Sequence, residues 1–140
     1  MAQGAWLRVR RVEILLVEDN AGDAVLIRRV LSECPVPVNL HIARDGEQAL
    51  LMVEASGFKP DLIVLDLNIP RIPGMSLLER WSQTDLPVVV FSSSLNERDR
   101  ALELGAREFI HKPTDLEEFT DAVCQIVQKW AQPQADGTAV

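Results

Sequence analysis

Five short apolar runs, each followed by a stretch with helical spacing, constrain this chain more than any other feature of its sequence. EILLV at 13–17 stops at acidic residues. Asn20 then stands where a helix cap belongs, with Asp23 in the first turn. Val30 and Leu31 follow Leu26 and Ile27 at helical spacing, and the segment breaks at Cys34-Pro35. VNLHIA at 38–43 alternates apolar and polar, as a half-exposed strand should. Asp45-Gly46 marks a turn, and a helix is predicted from about Glu47 to Ala55, ended by Ser56-Gly57. DLIVLD at 61–66 reads as a strand buried on both faces. A loop with Pro70, Pro73 and Gly74 leads to a helix near 75–82. PVVVFSSS at 87–94 is a further buried strand, and its helix runs to about Leu104, stopped by Gly105. REFIH at 107–111 is the last strand. Thr114 and Glu117 read as a capping box, and Phe119, Val123, Ile126, Val127 and Trp130 line one face of the final helix.

This alternation predicts an α/β fold: a five-stranded parallel sheet, right-handed crossovers, and helices on both faces. In such a sheet a site lies beyond the carboxyl ends of the strands. Reactive residues stand at those ends: Glu18 and Asp19 after the first strand, Asp66 after the third, Ser92 after the fourth, Lys112 after the fifth. One acid after a strand would read as a helix cap, but the set on one edge does not. Carboxylates packed together repel and need protons or a cation. Oxygen-only ligands select a hard ion, and Mg²⁺ fits because it keeps waters and accepts phosphate oxygens. A metal on Asp19 and Asp66, with Glu18 as a further candidate and Lys112 opposite, makes a slot for a transferring phosphoryl group. Asp66 can then act as the carboxylate nucleophile.

Composition narrows the alternatives. At 140 residues the chain has room for one core, and 47% hydrophobic with 25% charged residues implies a globular protein. A formal charge of −7 makes nucleic acid an unfavourable partner. No apolar run approaches the ~20 residues that cross a bilayer, and the N-terminus lacks the apolar core of a secretory signal. Cys34 and Cys124 lie far apart in sequence and suggest neither zinc nor a disulfide framework; they read as two reduced, packed thiols of a cytoplasmic protein. His41 is expected to face solvent, His111 to be incidental to the rim, and Trp81 to be packing.

Taken in order, VEDN at 17–20, LDLNIPRIPGM at 65–75, FSSS at 91–94, Gly105-Ala106 and FIHKP at 109–113 resemble the receiver domains of two-component response regulators. The resemblance covers residues 12–130, leaving 1–11 as an N-terminal arm and 131–140 as a flexible tail. It implies the sheet order 2-1-3-4-5. It implies Asp66 as phosphoacceptor, Glu18 and Asp19 as the metal-binding pair, and Asn68 as the residue lending its backbone carbonyl to Mg²⁺. Ser92 resembles the switch hydroxyl, Phe109 the aromatic that changes rotamer with it, and Lys112 the phosphate-pairing lysine. By analogy the Lys112–Pro113 bond would be cis.

Three positions depart from the family's commoner pattern. Serine replaces threonine at Ser92 with the hydroxyl kept. Ser93 stands where alanine is usual, which bears on access to the phosphate. Phe109 offers no hydroxyl, and an ordinary core phenylalanine competes with its switch role.

The resemblance implies a stand-alone regulator that accepts its phosphoryl group from a sensor histidine kinase and is not itself an enzyme on outside substrates. Ten residues follow Trp130, so the output is expected to be a protein contact or a relay. The start of the first helix and the late Trp130 are similar to single-domain regulators paired with phytochrome-type kinases. A homodimer is expected through Trp130, with the Trp6-Leu7 arm beside it. Two other readings compete. An aspartate-nucleophile phosphatase places a second acid two residues after the nucleophile, where this chain has Asn68. A flavodoxin-like binder needs a Gly-rich turn after the first strand, where VEDNAGD stands.

Overall fold

The structure, a computed structural model, describes residues 11–131. The expectations placed on Trp6, Leu7, the arm and the tail fall outside those residues, apart from Arg11 and Ala131. Strands and helices alternate: β1 (Val12–Val17), α1 (Ala21–Glu33), β2 (Val38–Ala43) and α2 (Gly46–Leu50), which runs on as a wider π-helical turn (Leu51–Ala55). There follow β3 (Leu62–Leu65), α3 (Gly74–Trp81), β4 (Val88–Ser92), α4 (Arg98–Glu103), β5 (Glu108–His111) and α5 (Leu116–Trp130). All pairings are parallel, in the order β2-β1-β3-β4-β5.

The apolar strands are covered on both sides, as their unbroken hydrophobicity requires. Ile14, Leu16, Leu62, Val64, Val89 and Phe91 pack with Ile27 and Leu31 of α1 and with Phe119, Val123, Ile126 and Val127 of α5. The residues of opposite parity, Leu15, Val17, Ile63, Leu65, Val88 and Val90, meet Ala49 of α2, Leu77, Leu78 and Trp81 of α3, and Ala101 of α4. Burying each large aliphatic side chain contributes about 1.5–3 kcal/mol. With α1 and α5 on one face and α2 to α4 on the other, the winding reverses between β1 and β3. That reversal opens a crevice at the carboxyl ends of these two strands.

Several local details differ from the sequence expectations. The second helix is not α-helical throughout. Ser56 Oγ donates to the Met52 carbonyl, the acceptor its own N–H would use in an α-helix, and the Ser56 N–H reaches Leu51 O at 3.1 Å instead. The last helix is capped by Asp115, which accepts from the Glu118 N–H at 2.9 Å; the Thr114–Glu117 box is displaced one residue on, where a carboxylate is the cap. His41 is half-buried, its Nε2 2.7 Å from Glu13 Oε1 and its ring 4.4 Å from that of Phe58. Trp130 does not protrude: its Nε1 donates to Glu108 Oε1 at 2.7 Å, which ties the end of α5 to β5. No peptide bond among the described residues is cis, so Lys112–Pro113 is trans, the isomer an X–Pro bond prefers. Trp81 is buried in the α3 side of the core, as expected of packing.

Candidate functional site

Register brings the site together. Val17 pairs with Leu65, so the next residues, Glu18 and Asp66, leave β1 and β3 side by side. Both backbones stay laddered one step further: the Glu18 N–H donates to Ala43 O at 2.9 Å and the Asp66 N–H to Val17 O at 3.0 Å. Lys112 is held likewise, its N–H on Ser92 O at 2.8 Å. The three side chains therefore start from rigid strand ends. Gly74 lets α3 begin tight against this edge, since a Cβ there would stand 2.5 Å from Leu67 Cα and 2.8 Å from Asp66 O.

At the centre lies Lys112 Nζ. It donates to Glu18 Oε1 at 2.7 Å, to Asp66 Oδ2 at 2.9 Å and to Asp23 Oδ2 at 2.9 Å. Glu18, Asp66 and Lys112 are 1%, 6% and 8% exposed, so these are charges taken out of water. Burial by itself would lower the lysine's pKa, but its bonds to Glu18, Asp66 and Asp23 outweigh that and raise it. The ammonium therefore stays charged. Burial pushes Glu18 up, the Lys112 bond pulls it down, and the Asp66 charge adds to the rise; the net position is about 7.

The remaining oxygens are partly fixed. Asp66 Oδ1 accepts the Asn68 N–H at 3.1 Å, and Glu18 Oε2 accepts the Asn20 N–H at 3.2 Å. Asp19 is exposed at the mouth. Glu18, Asp19 and Asp66 each present a carboxylate oxygen, all within 4.8 Å of one another. Three carboxylates, Glu18, Asp23 and Asp66, bond one ammonium, Asp19 stands beside Glu18 and Asp66, and the donors are all hard oxygens. This set fits a divalent cation of the hard class, by charge and by ligand type. A cleft of about 540 Å³ opens over it, lined by Asp19, Asp66, Asn68, Ser93, Lys112 and Pro113 among others.

The structure sorts the sequence candidates into those at the cleft and those beneath it. Asp66, Asp19, Asn68 and Lys112 line it; Glu18 lies just below, bonded to Lys112. Ser92 is fully buried, with Oγ accepting the Ser94 N–H at 3.3 Å, and it is Ser93 that faces the cleft. Phe109 is buried in the core on the α3 side. His111 is exposed, with Nε2 3.2 Å from Ser93 O. Asp23 was missed as a site residue. Its signal was present, an acid one turn into the helix leaving β1, but that position is also where a helix prefers any acid.

Glu18 makes the stability of the metal-free protein depend on pH. A carboxyl raised in the folded state binds more protons folded than unfolded, so stability falls as pH rises. The fall spans the ordinary 4.5 to about 7. Thermal melts between those limits should drop with pH, and less so with a divalent cation present. Melts that climb over that window would remove the buried, raised Glu18.

Residues 14–124 match the family described as response regulator receiver domain. The chain belongs to that family. Receiver relatives agree along nearly its whole length. Response regulator Rcp1 of Synechocystis is 33% identical over 130 residues, 85% of this chain and 88% of Rcp1. The Mn²⁺-bound structure of Rcp1 superposes with a TM-score of 0.81 at 30% identity, over 89% of this chain and 97% of that one. The phosphorylated cyanobacterial phytochrome response regulator RcpA gives 0.82 at 30% identity, over 94% and 98%. A protein-glutamate methylesterase/protein-glutamine glutaminase of Geobacter sulfurreducens is 34% identical over 109 residues, 76% of this chain. The chain spans 29% to 56% of the length of several curated relatives it matches. The receiver fold and its signalling class follow. No described helix is long and apolar enough to cross a membrane.

Proposed function

We propose that this receiver is a phospho-switched signalling protein in which Asp66 accepts a phosphoryl group from a sensor histidine kinase. The observation that supports it most is Lys112 Nζ held against both Asp66 and Glu18 at the floor of an open acidic cleft. An Asp66 oxygen attacks phosphorus as the P–N bond of a phosphohistidine breaks, and the imidazole nitrogen keeps the electron pair. Lys112 neutralises charge on the phosphoryl oxygens, and Asn68 holds the Asp66 carboxylate through its N–H. Glu18 and Asp19, with Asp66 and the Asn68 carbonyl, would hold Mg²⁺. When bound, Mg²⁺ supplies charge neutralisation at the transferring oxygens.

Ser92 is the hydroxyl that answers phosphorylation and Phe109 the aromatic that follows it. Both are buried in this state. The receiver assists its own phosphotransfer and dephosphorylation and turns over no outside substrate. Residues 12–130 form the receiver domain, and its place is the cytoplasm. A phytochrome-type kinase as donor is supported by the likeness to Rcp1 and RcpA. The test is acetyl phosphate with Mg²⁺. The chain should gain the mass of one phosphoryl group, labile to hydroxylamine and mapped to the peptide holding Asp66. No gain in mass, or a label elsewhere, overturns the reading.

Asp19→Asn removes one charge from the metal-binding set and should weaken Mg²⁺ binding at least about tenfold, read by calorimetry. Unchanged affinity would take Asp19 out of the ligand set. A homodimer through the end of α5 is part of the same reading, using the part of Trp130 left in water. Trp130→Ala should shift sedimentation at micromolar concentration toward monomer; a wild type that is monomeric at every concentration refutes it.

A further inference from the structure

Cys34 and Cys124, 90 residues apart in sequence, stand with their sulfurs 3.6 Å apart. Cys34 caps the C-terminus of α1, and Cys124 lies on α5. The two helices meet because both cover the same face of the sheet, and both cysteines pack at the margin of that core. Each is free and half-buried, so a small oxidant reaches the pair. A disulfide has its sulfurs at about 2.05 Å, which leaves a gap of about 1.5 Å for side-chain rotation and small helix shifts to close.

We propose that Cys34 and Cys124 form a dithiol–disulfide couple, oxidised by hydrogen peroxide and restored by thiol reductants. One thiolate sulfur attacks a peroxide oxygen. The O–O bond breaks, a sulfenic acid forms, and the departing hydroxide leaves as water with the thiol's proton. The second sulfur then attacks the sulfenic sulfur. The S–S bond forms, and the sulfenic hydroxyl leaves as a second water with the second proton. Two electrons pass from the sulfurs to the peroxide. A dithiol reductant reverses this by exchange and is itself left as a disulfide.

Burial, the Cys124 partner and the Glu33 charge push the Cys34 thiol up to about 11. At neutral pH it rests protonated, and oxidation is slower than at an ordinary exposed thiol. The couple therefore responds to sustained oxidant. Once closed, the bond spans a long loop and restricts the unfolded chain, which raises thermal stability. It also clamps the two helices whose leading ends border the cleft, α1 through Asp23 and α5 through the Lys112–Pro113 segment before it.

The test treats the full chain, folded and at neutral pH, with excess hydrogen peroxide, then alkylates it under denaturing conditions. The expected product is monomeric, lighter by two hydrogens, closed to alkylation, and yields one linked peptide pair containing Cys34 and Cys124. Its melting temperature should rise by several degrees and return with dithiothreitol. Cys34→Ser and Cys124→Ser should each abolish both changes. Two alkylatable thiols after treatment overturn the couple. So does oxidation of either cysteine to sulfinic acid without linkage, or linkage between chains only.

Discussion

Asp66→Asn is expected to leave the receiver folded and unable to carry a phosphoryl group. The substitution keeps the shape and one carbonyl oxygen, which still accepts from Lys112 Nζ or the Asn68 N–H. It removes the anionic oxygen that must bond to phosphorus, and no neighbouring carboxylate occupies the same place at the head of β3. Loss of a covalent nucleophile costs orders of magnitude rather than a fraction. The acyl phosphate should be undetectable by mass or by phosphate-affinity electrophoresis. Folding stability should stay within about 1 kcal/mol of wild type, because relief of repulsion with Glu18 offsets a weaker bond to Lys112. Phosphorylation of Asp66→Asn at wild-type yield would falsify the assignment. A variant that unfolds would show that the carboxylate is structural.

Lys112→Ala should have the largest effect on stability of any change at the site. The ammonium serves Glu18, Asp66 and Asp23 at once, and two of these are almost wholly buried. Removing one member of a buried charge cluster costs about 3–5 kcal/mol, because the others are left unpaired. Here the charges left behind are all negative. The loss should shrink at low pH, where Glu18 takes up a proton, and shrink again with millimolar Mg²⁺ if the acidic set holds it. Denaturant melts with and without Mg²⁺ measure both. Phosphorylation of Asp66 should remain possible in the presence of Mg²⁺, with a blunted conformational response. A full wild-type spectral change of Lys112→Ala with beryllofluoride would remove that role from the lysine.

Much of the site was legible in the chain because a parallel β/α sheet aligns its strand ends. Once the apolar runs are read as strands, Glu18, Asp19, Asp66 and Lys112 must share an edge, whatever the strand order. The hydrophobic parity of Leu15, Ile63 and Val90 against Ile14, Val64 and Val89 already demanded cover on both faces. Position along a strand is a local property, and side-chain alternation converts it into a direction.

What stood outside that logic depends on contacts between segments distant in sequence. Asp23 looked like any first-turn acid, and it became part of the site because α1 leaves β1 at an angle that brings its first turn to Lys112. Ser92 and Ser93 alternate, and only the strand's setting in the sheet decided that Ser93 faces the cleft while Ser92 is buried. Trp130 reads from the sequence as a dimer contact, and only the fold brings Glu108 of β5 within reach of its indole N–H. The two cysteines carried no spacing signal, and their sulfurs met because α1 and α5 cover one face. Strand identity, covered faces and the acidic rim were thus set by the sequence, through periodicity and burial over a few residues. Which side chains touch was decided by the packing of helices on the sheet, where a rotation of a few degrees makes or breaks a hydrogen bond and no local pattern records it.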